Sequence, residues 1–176
     1  MRIVLIVAQS LDGFITKHDL PGTAWTSAAD KAWFRKCLPQ FDANVMGRVT
    51  YETIRPHLLS DLDPTRFRFV LTSSPARFAS DAQPEILEFS AESAANIAST
   101  LEKSGRKHCA ILGGTRVHDD FLQAGLVDEI WVTIEPKLFG TGTPVVKLPQ
   151  DISLTLIDYQ RLAASDSVLL KYRVRR

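Results

Sequence analysis

The sequence is poor in cysteine, almost neutral and without a long apolar run, and each of these shortages excludes a class of protein. Its two cysteines, Cys37 and Cys109, stand far apart and form no Cys-x-x-Cys pair, so neither a disulfide framework nor a zinc knuckle is expected. Both are predicted to be buried, reduced thiols. With 21 lysines and arginines against 20 aspartates and glutamates, the net charge of +1 gives no overall field that would hold nucleic acid or an anionic membrane.

Histidine spacing and the short N-terminal apolar run argue against a metalloprotein and against a secreted or membrane-spanning protein. None of the four histidines stands in a His-x-x-x-His or His-Glu-x-x-His arrangement, so a metal site is not expected. The apolar stretch from Met1 to Ala8 is too short for a signal-peptide core or a membrane-spanning helix. We therefore expect a cytoplasmic protein with a small-molecule partner, and a length of 176 residues predicts a single domain over 1–176.

Strand-like and helix-like stretches alternate along most of the chain. Buried-strand patterns are found at 2–8, 43–46, 68–72, 86–89 and 108–112. Helical patterns are found from Ser27 to Pro39 and at 50–57, 92–103 and 115–124. This alternation predicts right-handed crossovers and a parallel sheet. Three more strand-like runs, at 128–135, 153–162 and 167–174, have no helix between them, so the sheet is expected to finish antiparallel.

Two strand-glycine-helix junctions repeat one physical arrangement. At 45–52 and at 110–116 an apolar run stops at glycine, and an arginine then enters a helix-like stretch. Glycine lets a ligand approach the backbone closely, and the free N–H groups of a helix start attract anions. A single junction of this kind is better explained by plain helix capping. Two of them in one small domain indicate a diphosphate-containing dinucleotide.

The order of several motifs resembles the dihydrofolate reductase superfamily, including the reductase domain of the bifunctional riboflavin-biosynthesis deaminase-reductase. The segments similar to dihydrofolate reductases are Trp25, 29–34, 46–52, 71–74, 113–117 and 121–122. The segments similar to the riboflavin enzymes are 10–13, 127–130 and 136–144. The resemblance implies a three-layer dihydrofolate reductase-like α/β fold, with a mostly parallel central sheet, antiparallel C-terminal strands and flanking helices. It also implies NADPH as cofactor and a homodimer.

The cofactor residues follow from the junctions and the resemblance together. The residues expected to offer backbone or hydroxyl donors to the pyrophosphate are Gly47, Thr50, Gly113, Gly114 and Thr115. The residues expected around the adenosine 2′-phosphate are Arg48, Thr72, Ser73 and Arg116. The alternative for the two arginines is a surface pair with Glu52, or with Asp119 and Asp120.

The resemblance also implies the residues around the substrate. Asp30 stands at the start of an apolar helix, where a partly desolvated carboxyl could hold an aminopyrimidine ring and keep a proton for a C=N bond. Thr133 matches a hydroxyl near that carboxylate, and Asp12 is expected to orient substrate or nicotinamide. Trp25 and Phe34 are expected to wall an aromatic slot, and Gly140 belongs to a loop that phosphate can approach. Three structural alternatives stay open: a helix-dipole role for Asp30, an Asp-Gly turn for Asp12 and simple strand punctuation for Gly140.

The function predicted from these residues is an NADPH-dependent reductase of a pteridine or aminopyrimidine-type heterocycle. Ser10 to Gly13 and Pro136 to Pro144 favour 5-amino-6-(5-phosphoribosylamino)uracil reductase over dihydrofolate reductase. A nucleotide-binding module without turnover is the alternative from a different class, because a fold alone does not fix a function.

Overall fold

One mixed sheet organises the molecule, and its strands are β1 (Arg2–Ser10), β2 (Ala43–Gly47), β3 (Phe67–Leu71), β4 (Leu87–Ser90), β5 (His108–Ile111), β6 (Glu129–Glu135), β7 (Leu154–Arg161) and β8 (Val168–Val174). The computed structural model describes residues 1–149 and 151–175. The spatial order is β4-β3-β2-β5-β1-β6-β8-β7. The first six strands pair in parallel, whereas β8 pairs antiparallel with both β6 and β7. The predicted fold class is confirmed.

Four helices connect and cover the strands: α1 (Ala28–Cys37), α2 (Arg48–Ser60), α3 (Ala94–Lys103) and α4 (Thr115–Gln123). Alternate residues of a strand point to opposite faces, and the packing follows that rule. On one face, Leu5 and Val45 pack with side chains of α3 and α4, such as Ile97 and Phe121. On the other face, Val4 and Ile6 pack against α1, and Met46 and Val70 pack against α2. The result is the three-layer arrangement.

Helices α2 and α3 begin two residues away from their predicted starts, because of their N-cap residues. The helix expected from Thr50 begins at Arg48, because Gly47 is already in extended conformation and serves as its N-cap. The helix expected from Glu92 begins at Ala94, because the Ser93 side chain accepts a hydrogen bond from the backbone N–H of Asn96. Both cysteines are free and buried, as predicted.

A polar network around the buried Asp81 side chain stabilises α2. The Asp81 carboxylate accepts hydrogen bonds from the Tyr51 hydroxyl at 2.6 Å and from Arg55 Nε and Nη2 at 2.6 and 2.8 Å. These bonds, led by the one from Arg55, lower the pKa of Asp81 to about 2. Burial is the main cause that raises the pKa of Tyr51 to about 12. The network ties the helix that begins at the first glycine junction to the segment before β4.

Candidate active-site cleft

A cleft of about 1300 Å³ lies over the α1 and α2 face of the sheet. Ile6 and Met46 contribute to its floor, Phe34 lines it from α1, and Ile54 lines it from α2. Ligand pockets usually measure about 300–1,000 Å³, so this one is large enough for a ligand of dinucleotide size together with a smaller molecule.

Both glycine junctions open into this cleft. Gly47 and Gly114 are the N-caps of α2 and α4, and neither helix start has a capping side chain. The backbone N–H of Gly47 donates to the carbonyl of Gly113 at 2.7 Å, which holds the two helix starts side by side. The first backbone N–H groups of a helix have no partner within it, so two adjacent starts form a favourable anion site.

The space around the glycines differs from one to the next. A methyl group on Gly47 would lie 3.2 Å from Val117 Cγ2, so the packing of α4 limits this position. Gly113 has a φ of +98°, and a methyl group there would lie 3.1 Å from His118 Nε2. A methyl group on Gly114 would meet nothing within 4 Å, so it would project into open cleft space. This is the space that a diphosphate would need.

The charged and hydroxyl residues expected at the phosphates line the same cleft. Arg48 is paired with Glu52, and Arg116 Nε lies 3.9 Å from Asp120 Oδ2 with its side chain 90% exposed. These match the surface ion pairs that the sequence analysis gave as the alternative to phosphate binding. Such pairs contribute only about 0–1 kcal/mol, so a phosphate could replace the carboxylate partners at little cost.

The four hydroxyl residues expected at the cofactor have different surroundings. Thr50 and Ser73 line the cleft, and Ser73 is exposed. Thr72 is buried, and its Oγ1 accepts from the backbone N–H of Ser74 at 3.2 Å. The Thr115 hydroxyl donates to the carbonyl of Pro144. Thr115 therefore offers the cleft its backbone N–H rather than its hydroxyl.

Asp30 lines the cleft from the first turn of α1. Ser27 caps this helix by accepting from the backbone N–H of Asp30 at 3.1 Å, and Asp30 is only 7% exposed. Burial is the main cause that raises the pKa of Asp30, and the negative charge of Glu135 acts in the same direction. The hydroxyls of Thr133 and Thr26 oppose this effect. Asp30 is thus a largely buried carboxyl that lines the cleft and has a pKa above its ordinary value.

Four residues predicted at the substrate do not line the cleft. Asp12 accepts from Ser10 Oγ at 2.5 Å, from the backbone N–H of Phe139 at 3.0 Å and from that of Gly140 at 2.7 Å. The Trp25 ring packs edge-on against Phe139 at a centroid distance of 5.1 Å. Asp12, Trp25 and Gly140 therefore join two loops beside the cleft. The fourth, Thr133, is fully buried, and its hydroxyl lies near the Asp30 carboxyl without a hydrogen bond of normal geometry.

Comparison with known proteins fits this geometry. Residues 2–169 match the RibD C-terminal domain family. The chain belongs to that family. The uncharacterized protein YwjB of Bacillus subtilis (strain 168) is 28% identical over 149 residues, which cover 82% of each chain. The resemblance found in the sequence is confirmed.

Solved structures show the same fold at lower identity. A pyrimidine reductase-like protein from Corynebacterium diphtheriae has a TM-score of 0.77 at 17% identity, over 99% of this chain and 92% of that one. The dihydrofolate reductase of Enterococcus faecalis, complexed with NADP(H), has a TM-score of 0.72 at 20% identity, over 99% of this chain and 97% of that one. The RibD-type chain therefore shares its fold with a dihydrofolate reductase and with a protein named as pyrimidine reductase-like.

Several residues in or beside this RibD-type site were not predicted from the sequence. Glu135 is 1% exposed and lies near Asp30, and its signal was a carboxylate at the end of the strand-like run 128–135. Asn44 and Arg68 are paired neighbours on β2 and β3, each 2% exposed, and both line the cleft. Their signal was a polar residue within each buried-strand pattern. His118 Nδ1 donates to the Val145 carbonyl at 2.8 Å, because a carbonyl oxygen can only accept.

Residues 1–149 and 151–175 contain neither a candidate metal cluster nor a helix that could span a membrane. No group of three or more histidine, cysteine, aspartate or glutamate side chains in this part of the chain could hold a metal ion. No helix in the same part is both long and apolar enough to cross a bilayer.

Proposed function

We propose that the protein is an NADPH-dependent reductase of a pteridine or aminopyrimidine-type heterocycle, most similar in activity to 5-amino-6-(5-phosphoribosylamino)uracil reductase. The observation that supports it is the shared cleft: both glycine junctions and Asp30 line one cavity. Membership of the RibD C-terminal domain family points to the same reaction class.

The glycine junctions fit the diphosphate of the cofactor. The adjacent starts of α2 and α4 offer backbone N–H groups, and the open space at Gly114 admits phosphate oxygens. Arg48 and Arg116 flank these starts, and each would exchange a surface carboxylate for the 2′-phosphate that distinguishes NADPH from NADH. When bound, the cofactor supplies a hydride.

Asp30 supplies the proton. Its carboxyl hydrogen-bonds the aminopyrimidine part of the substrate and gives its proton to the nitrogen of the C=N bond as the hydride adds to the carbon. The C=N bond becomes CH–NH, and Asp30 is left as a carboxylate. Because Asp30 lines an open cleft, it regains a proton from solvent. The burial that raises its pKa keeps the acid form available nearer to neutral pH.

A binding experiment tests the cofactor assignment. Nicotinamide fluorescence is titrated with NADPH and NADH on the wild type, on Arg48→Ala and on Arg161→Ala. Arg161 is the matched control, because it also forms a surface ion pair, with Asp166, but does not line the cleft. We expect selective binding of NADPH. A hydrogen bond to a charged group is worth about 1.5–3 kcal/mol, so Arg48→Ala should weaken NADPH binding about 10- to 100-fold while Arg161→Ala leaves it unchanged.

The outcomes separate the candidate functions. No binding of either nucleotide overturns the reductase proposal. Selective binding followed by turnover of an aminouracil or a dihydropteridine, lost in Asp30→Asn, supports it. Binding of NADPH with no effect of Asp30→Asn in any assay favours a nucleotide-binding module instead.

We also propose that the protein is a homodimer. All eight residues of β7 are exposed, and this strand forms one end of the sheet. Leu156 is 49% exposed and Tyr159 is 70% exposed on it, which is unusual for a strand of a monomer. Light scattering after size exclusion should give twice the chain mass of 19.6 kDa, and Tyr159→Lys should shift the protein towards monomer. A wild-type mass of one chain would overturn this proposal.

A further inference from the structure

Glu135 is a buried carboxylate whose two oxygens both accept hydrogen bonds. It ends β6 and is 1% exposed. Its Oε1 accepts from the backbone N–H of Ser27 at 2.9 Å, and its Oε2 accepts from the Ser167 hydroxyl at 2.9 Å. Burying a carboxylate is costly, and two hydrogen bonds to it offset only part of that cost. Such a group calls for a functional explanation.

The contacts of Glu135 lead directly to the start of α1. Ser27 is the N-cap of this helix, and its hydroxyl also accepts from the backbone N–H of Asp30 at 3.1 Å. The Ser167 hydroxyl, just before β8, lies within hydrogen-bond distance of the Ser27 hydroxyl, at 3.1 Å, and so also holds the start of α1. Glu135 therefore fixes the helix turn that presents Asp30 to the cleft.

The charge of Glu135 acts on Asp30 as well. Thr133 and Glu135 are two residues apart on β6 and so share one face of the strand. Asp30 faces the Thr133 hydroxyl and the Glu135 charge from that strand, and Lys31 is the charged neighbour from its own helix. A nearby negative charge disfavours ionisation of a carboxyl, whereas the lysine favours it. Glu135 itself does not line the cleft, so it acts only through Asp30.

We propose that Glu135 is a positioning residue for Asp30: it anchors Ser27, which fixes the helix turn that carries Asp30, and it places its negative charge near the Asp30 carboxyl. The role of the Asp30 proton rests on the proposed reductase function. The contacts and the charge effect do not, so they are tested without cofactor or substrate.

The test is a direct titration of Asp30. Protein labelled with ¹³C at the aspartate carboxyl carbon is followed by NMR as a function of pH, and the Asp30 signal is assigned with Asp30→Asn. Glu135→Gln keeps the size and an acceptor oxygen for Ser27 but removes the charge. Glu129→Gln is the matched control, because it removes the same charge from the same strand and face about 20 Å away.

The expected result is a lower pH midpoint for Asp30 in Glu135→Gln and no change in Glu129→Gln. An unchanged or higher midpoint in a folded Glu135→Gln protein, judged by its amide spectrum, overturns the proposal. Glu135→Asp, which keeps the charge on a shorter side chain, provides a second reading. Its Asp30 midpoint should stay close to that of the wild type, and a midpoint equal to that of Glu135→Gln would show that charge is not the cause.

Failure of this proposal is distinguishable from failure of the proposed function. A wild type that binds no NADPH removes the reductase function but leaves the titration of Asp30 unaffected. A wild type that binds NADPH with no effect of Glu135→Gln on Asp30 leaves the reductase function standing and removes only the role of Glu135.

Discussion

Gly114→Ala separates cofactor binding from folding more cleanly than any other single change at the glycine junctions. The added methyl group meets nothing within 4 Å in the protein, and Gly114 has an ordinary φ of −80°. An alanine at this N-cap should change the free energy of unfolding by no more than about 1 kcal/mol. For a domain of this size, that corresponds to a Tm change of about 2–4 °C.

The same methyl group would occupy the space that the diphosphate requires. We therefore expect NADPH to bind at least about 10-fold more weakly to Gly114→Ala, a loss of about 1.4 kcal/mol, in a fluorescence titration paired with a thermal melt. Gly113→Ala is the contrasting variant. Its φ of +98° and the 3.1 Å approach to His118 should cost stability directly, so its Tm should fall further. Wild-type affinity for NADPH in Gly114→Ala would refute the assignment of the glycine junctions to the diphosphate.

Three smaller predictions address other parts of the site. Asp81→Asn should reduce the free energy of unfolding by about 1–2 kcal/mol at pH 7, allowing for the partial exposure of its arginine partner. Because the pKa of Asp81 is lowered from 3.8 to about 2, the stabilisation is complete above pH 3.8 and is lost as the pH falls towards 2, so urea melts of the two proteins should converge there. Asp12→Ala should remove the acceptor for the Phe139 amide and speed its hydrogen exchange about fivefold, for a loss of about 1 kcal/mol; unchanged exchange would show that the loop is held otherwise. Thr133→Val should raise the pKa of Asp30 further, because it removes a hydroxyl that lowers this pKa, and the effect is opposite in sign to that of Glu135→Gln. An unchanged or lower Asp30 pKa in the same carboxyl titration would contradict this.

The order of strands and helices was predictable because each element depends on a local pattern. Strands β1 to β3 and β5 are apolar runs long enough for buried strands, and glycine or serine stands at the start of α2 and α3. The absence of a helix between the last strands was enough to indicate antiparallel pairing. These features are fixed by residues within a few positions of one another.

The partners of the polar side chains were not predictable in the same way. Glu135 accepts from Ser27, 108 positions away, and Asp12 accepts from Gly140, 128 positions away. Such contacts depend on how two loops meet after the sheet has formed, and no local pattern encodes that. This is why the sequence left both a substrate role and an Asp-Gly turn open for Asp12, and why it did not indicate the contacts of Glu135.

The carboxyl ends of neighbouring strands indicate how the ligands would be arranged along the cleft. Thr72 follows β3, Gly47 ends β2, and Gly113 lies just after β5, so these three groups occupy adjacent strands of the sheet. Strands lie about 4.8 Å apart, which places the phosphate-binding groups across about 10 Å. Thr133 lies on β6, two strands beyond β5 and about 10 Å further along, and Asp30 of α1 lies near it. An extended dinucleotide with its adenosine end at β3 would therefore bring its reactive ring towards Asp30. Substitutions at β3 should then change the preference for NADPH over NADH, whereas substitutions near β6 should change the proton-transfer step.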